Sequence, residues 1–167
     1  MTPELFKLLA LSIFASLVIL AALQDLASFT IPNWISGSLA LAFVPAALVL
    51  HIPLPTIGLS LAVGLGVLVV AAVMFALGWL GGGDAKLMTA VALWLGVPGV
   101  LPFIAFTGLA GGALALALLA LRSAWLRPLA HAGPAWTRRL ATPGEAAPYG
   151  VAIAVGALSA FAVHPLV

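Results

Sequence analysis

The chain has 167 residues, 65% of them hydrophobic, with six basic and four acidic side chains and a formal net charge of +2. At a mean hydropathy of +1.31 it is far too apolar for a soluble globular domain, in which about a quarter of residues are charged. Cysteine is absent, which excludes disulfides and cysteine-ligated zinc or iron–sulfur clusters. His51, His131 and His164 are scattered without metal-ligand spacing, so no metal or other cofactor is expected.

The hydrophobic pattern predicts helices over residues 5–23, 33–50, 56–79, 85–97, 100–121 and 148–164. The expected fold is therefore all-α, a polytopic membrane protein of about six transmembrane helices forming one domain over residues 1–167. Leu8–Leu23, Ile57–Leu80 and Val100–Leu121 reach or approach the roughly 20 apolar residues that span a bilayer core. The first run is longer than a signal-peptide core and lacks a small-x-small cleavage site before Asp25, so it is read as a helix. Pro32 suits the first turn of the second helix, and Pro53 and Pro55 mark the turn into the third. Gly81, Gly82 and Gly83 break the third run, and Pro98–Gly99 separates the fourth helix from the fifth.

The longest polar stretch, Arg122–Pro148, holds Arg122, Arg127, Arg138 and Arg139, four of the six basic residues. It reads as a cytoplasmic loop or interfacial segment under the positive-inside rule. Trp34, Trp79, Trp94, Trp125 and Trp136 read as interface anchors or helix packing.

Asp25 and Asp84 are the only aspartates, and each stands where an apolar run breaks. Two predicted helices separate them, so the chain crosses out and back and both lie on one side of the membrane. Lys86 and the arginine-rich loop share that side, which makes it the cytoplasmic face, and Lys7 lies near the other. A buried aspartate costs about 2.5–3.5 kcal/mol to insert at a bilayer centre, so two of them call for a reason. Peptide hydrolysis supplies one: an ionised carboxylate takes a proton from water while a protonated partner polarises the carbonyl oxygen. A close pair enforces that division, because like charges in a poorly solvated site do not both ionise cheaply. Glycines beside Asp84 let an extended substrate backbone approach. Lys86 reads either as a snorkelling anchor or as a substrate contact. Tyr149, in Pro148-Tyr149-Gly150, reads as an interfacial aromatic at a turn before the last helix.

Asp25 followed by Ile31-Pro32-Asn33-Trp34, then Gly81-Gly82-Gly83-Asp84-Ala85-Lys86-Leu87, then Pro148-Tyr149-Gly150-Val151-Ala152-Ile153-Ala154, resembles the type IV prepilin peptidase family. More narrowly it resembles the short members that serve tight-adherence (Flp-type) pili. The resemblance implies an aspartic endopeptidase of the bacterial inner membrane, with its active site facing the cytoplasm, whose partners are an Flp-type prepilin and the lipid bilayer, not nucleic acid. It implies catalytic roles for Asp25 and Asp84 and substrate-binding roles for Gly81 and Gly83. It also implies a substrate with an acidic residue shortly after the cut, which Lys86 would meet. Relatives often carry basic residues before the Ile-Pro-Asn element, where this chain has Leu26-Ala27-Ser28-Phe29-Thr30. Longer relatives also methylate the new pilin N-terminus and carry a cysteine-bearing domain between the first helix and the first aspartate. Here Gln24 alone separates the predicted first helix from Asp25, so cleavage without methylation is expected. A small proton-coupled transporter and a non-catalytic pilus assembly factor are the alternative readings. Residues 1–80 do not resemble 85–167, which argues against the related halves usual in transporters.

Overall fold

A computed structural model describes residues 3–163 apart from 124, 127, 129, 131 and 134; Arg127, His131 and His164 lie outside the described residues. The order is α1 (Pro3–Ser28), α2 (Asn33–Val49), α3 (Leu54–Ala76), α4 (Gly82–Leu121), α5 (Ala135–Ala141) and α6 (Tyr149–Val163). The protein is all-α, with no strand among the described residues. α1, α3 and α4 are each long and apolar enough to cross a membrane, and α2 and α6 are shorter apolar helices.

Helix ends depart from the sequence expectation where backbone chemistry outweighs hydropathy. α1 runs through Asp25 to Ser28, one turn past its apolar run, and stops at Phe29, whose φ is 57°. Polar residues do not end a helix; a residue leaving the α region does. α3 stops at Ala76, before the glycine triplet that was expected to break it. Gly78, at φ 74°, forms the turn: its N–H donates to the Phe75 carbonyl, and that of Trp79 to the Met74 carbonyl, both at 2.9 Å. This is the Schellman pattern that satisfies the last carbonyls of a helix. The triplet instead opens α4, with Gly81 as N-cap and Gly82, Gly83 and Asp84 in the first turn.

The break expected at Pro98–Gly99 falls at Gly96, at φ 55° and ψ −159°. That conformation is open essentially to glycine alone, and Pro98, lacking an N–H, fits the first turn of the helix that resumes beyond it. α4 is thus two limbs, 82–95 and 97–121. Leu93 on the first limb packs at Gly64 of α3 and Gly96 at Ser60, whereas on the second limb Gly111 meets Tyr149 and Thr107 meets Gly156 of α6. The second limb and α6 are therefore antiparallel, and the second limb returns toward the end of the bundle where α4 began. The ends of α1 and α3 and the starts of α2, α4 and α6 gather at that end.

The core lies between α1, α2, the first limb of α4 and α6. Trp94 is its centre: its ring centroid is 5.5 Å from that of Phe14 and 6.0 Å from that of Phe43, and its Nε1–H donates to the Leu39 carbonyl at 2.7 Å. Of the tryptophans, Trp94 thus serves packing, while Trp34, Trp79 and Trp125 are exposed. Small residues make the other contacts close. Gly150, Ala152, Ala154, Gly156, Ala157 and Ala160 are buried on α6, which packs against both α1 and α4. In lipid, where apolar burial between helices gains little, such close backbone approach carries association.

Candidate active site

Asp25 lies in the last turn of α1, a poor place for a carboxylate because a helix C-terminus carries partial negative charge. The fold compensates from another element. Gly150, in the first turn of α6, donates its backbone N–H to Asp25 Oδ2 at 2.7 Å, across 125 residues of sequence. That N–H is one of the donors a helix start leaves without an internal partner, so the positive end of α6 faces the carboxylate. Only glycine allows the approach: a Cβ on Gly150 would lie 2.9 Å from both Asp25 Cβ and Oδ2 and 3.0 Å from Ile31 Cδ1.

Asp84 is turned toward the start of its own helix. As the third residue of α4 it folds back over the cap toward the Gly81 backbone N–H, the carboxylate half of a capping box. A Cβ on Gly81 would come 2.6 Å from Asp84 Oδ2. Gly83 has a different neighbour: a Cβ there would be 3.1 Å from Ile31 Cβ and 3.3 Å from its carbonyl oxygen. The glycines thus let the start of α4 sit against the 29–32 connection and let a carboxylate fold back over its own cap.

Asp25 and Asp84 line one open cavity of about 260 Å³, together with Phe29, Thr30, Ile31 and Gly81–Gly83. Asp25 is only 5% exposed, and Asp84 is partly buried on the wall of the same cavity. Each carboxyl is held over a helix N-terminus, with a shared space between them large enough for water and an extended backbone. The rim is basic: the Arg139 guanidinium stacks over the Phe29 ring, 4.5 Å from its centroid. Arg122 fixes the connection that carries it, donating from Nε to the Leu140 carbonyl and from Nη2 to the Glu145 carbonyl, each at 2.9 Å.

Lys86 is not in this cavity. Two residues past Asp84 it points some 200° around the helix, and its Nζ donates to Asn33 Oδ1 at 2.8 Å in a separate cleft. Gly150 and Arg139 belong to the site's surroundings and drew no assignment from sequence. The signal for Gly150 was present in Pro148-Tyr149-Gly150, but its partner is 125 residues away and no local pattern names it. Arg139 was visible only as one of several loop cations.

Fold and site together define a multi-pass helical membrane protein with a two-carboxyl cleft at one end of its bundle. The profile of the type IV leader peptidase family matches residues 12–116, a stretch that includes both aspartates. The chain belongs to that family and is a peptidase. Neither a curated protein nor a solved structure matches it.

Proposed function

We propose that the chain is an aspartic endopeptidase that removes the leader peptide of prepilins, of the Flp type, at the cytoplasmic membrane face, without methylating the product. One observation carries this reading: Asp25 and Asp84 line a single open cavity, each with its carboxyl toward a helix N-terminus. A water molecule between the two carboxyls loses its proton to the ionised one as its oxygen attacks the scissile carbonyl. The protonated partner donates a hydrogen bond to the carbonyl oxygen as it gains negative charge. Collapse of the tetrahedral species breaks the C–N bond, and a carboxyl proton passes to the leaving amine. The proton is a property of the pair, not of either residue. Gly150 and Gly81 fix the geometry through backbone amides, which add no titrating group.

The cytoplasmic placement rests on charge. Lys86, Arg122, Arg138 and Arg139 gather at the carboxyl end of the bundle, whereas Lys7 stands toward the other. The proposed absence of methyl transfer rests on α1, which runs unbroken through Asp25, so that no domain stands between that helix and the carboxylate. The test is co-expression with an Flp-type prepilin, then mass spectrometry of the pilin processed by the purified protein with a methyl donor present. The expected product is a shortened chain with a bare N-terminus. Uncut prepilin would refute the peptidase assignment to this substrate, and a product about 14 daltons heavier, dependent on this protein, would refute the absence of methylation.

A further inference from the structure

α2 and α3 both pack on α4 but scarcely touch each other. The gap between them is a lateral cleft of about 420 Å³ with its floor on the first limb of α4. It shares no residue with the cavity of the two aspartates. Its lining is graded along the bundle. Lys86 and Asn33 stand at the carboxyl end, Ser36 and Thr89 one turn deeper, and Ala40 and Leu68 deeper still.

Three features of this cleft are unexplained by packing. The Lys86 ammonium has three donors, of which Asn33 Oδ1 takes one, and the one salt bridge among the described residues joins Arg139 to Glu145. The Ser36 hydroxyl is 95% buried by its residue's 5% exposure and has no hydrogen-bond partner. Gly37, on the same wall, has nothing within 4 Å of where a Cβ would stand. Trp34, 55% exposed beside Asn33, marks this level as the membrane interface, where aromatic residues gather.

We propose that this cleft binds an anionic phospholipid, with the phosphate on Lys86 and Asn33, the ester region against Thr89 and Ser36, and the start of an acyl chain over Ala40 and Leu68. The order of chemistry along the cleft matches the order along a lipid molecule, and the cleft opens sideways, where lipid is. A free phosphate would satisfy the mouth and leave the apolar floor uncovered. A substrate carboxylate would need to reach the opposite side of α4 from Asp84.

The test is native mass spectrometry of the purified protein released from micelles containing equal phosphatidylglycerol and phosphatidylcholine. The wild type is expected to retain phosphatidylglycerol with roughly fivefold preference, the scale of one lysine at an anionic surface. Lys86→Met abolishes that preference, while Lys7→Met, at the other end of α1, leaves it. Gly37→Leu, which fills the cleft and replaces a helix glycine with a better helix former, lowers retention of lipid and keeps the proposal testable should Lys86→Met fail to fold. Equal retention of the two lipids by the wild type, an undiminished preference in Lys86→Met, or undiminished retention of lipid in Gly37→Leu overturns it. Displacement of the lipid by inorganic phosphate alone would show an anion site without lipid character, and displacement by a soluble acidic peptide would assign Lys86 to substrate; either result overturns it as well.

Discussion

Replacing Gly150 with alanine tests whether the α6 amide holds Asp25 in working geometry. The new Cβ would stand 2.9 Å from Asp25 Cβ and Oδ2 and 3.0 Å from Ile31 Cδ1, well inside the 3.5–4.0 Å of an ordinary carbon contact. Asp25 Cβ is fixed by α1, and although Oδ2 and Ile31 Cδ1 are side-chain ends, both residues are buried, at 5% and 8% exposed, which leaves them little room to retreat. The relief available is for the start of α6 to move away, which stretches the 2.7 Å bond from the Gly150 N–H to Oδ2. A hydrogen bond to a charged group contributes about 1.5–3 kcal/mol, and at about 1.36 kcal/mol per tenfold its loss lowers kcat/KM by about 10- to 100-fold. The assay is cleavage of a purified prepilin in detergent, alongside a melting curve. Gly108→Ala is the control, because it makes the same chemical change on a helix where a Cβ meets nothing within 4 Å. A Gly150→Ala enzyme within twofold of wild type, with Gly108→Ala equally active, would refute the reasoning.

Gly96→Ala should lower stability by about 2 kcal/mol, because alanine is disfavoured at φ 55° and ψ −159° and its Cβ would lie 2.8 Å from Ser60 Oγ; an unchanged melting temperature in detergent would show that the break does not need glycine. The cleavage rate should be bell-shaped in pH, since one carboxyl must be ionised and its partner protonated, with the alkaline limb set by the pair's higher macroscopic pKa. A rate that stays flat through the alkaline range while the protein remains folded would exclude a shared-proton pair.

Much of the fold was legible because membrane helices announce themselves by apolar length, and counting two of them between Asp25 and Asp84 was enough to put both aspartates at one end. Local breaks were less legible, since several residues compete for each. Hydropathy cannot tell that Gly78 rather than Gly81 closes α3, or that Gly96 rather than Pro98 turns α4, because the choice depends on which residue must take a positive φ. The glycines beside Asp84 suggest room for a substrate backbone, and hydropathy gives no hint that a Cβ at Gly81 would meet the Asp84 carboxylate or one at Gly83 the Ile31 side chain. Lys86 was read at the right end of the bundle, but its direction around α4 depends on the register at which the helix begins, three residues earlier than hydropathy predicts. Contacts between distant segments, such as Gly150 with Asp25 or Arg139 with Phe29, have no local signature at all.

The central claim is that Asp25 and Asp84 act as one catalytic pair. The most direct measurement is the single-turnover rate of prepilin cleavage by purified Asp25→Asn, Asp84→Asn and the double variant, each checked for membrane insertion and for its melting temperature. Groups that act as a unit are not additive, so each single variant should lose nearly all activity and the double variant should fall little further. Substantial cleavage by either folded single variant, or independent losses that multiply in the double variant, would contradict the pair.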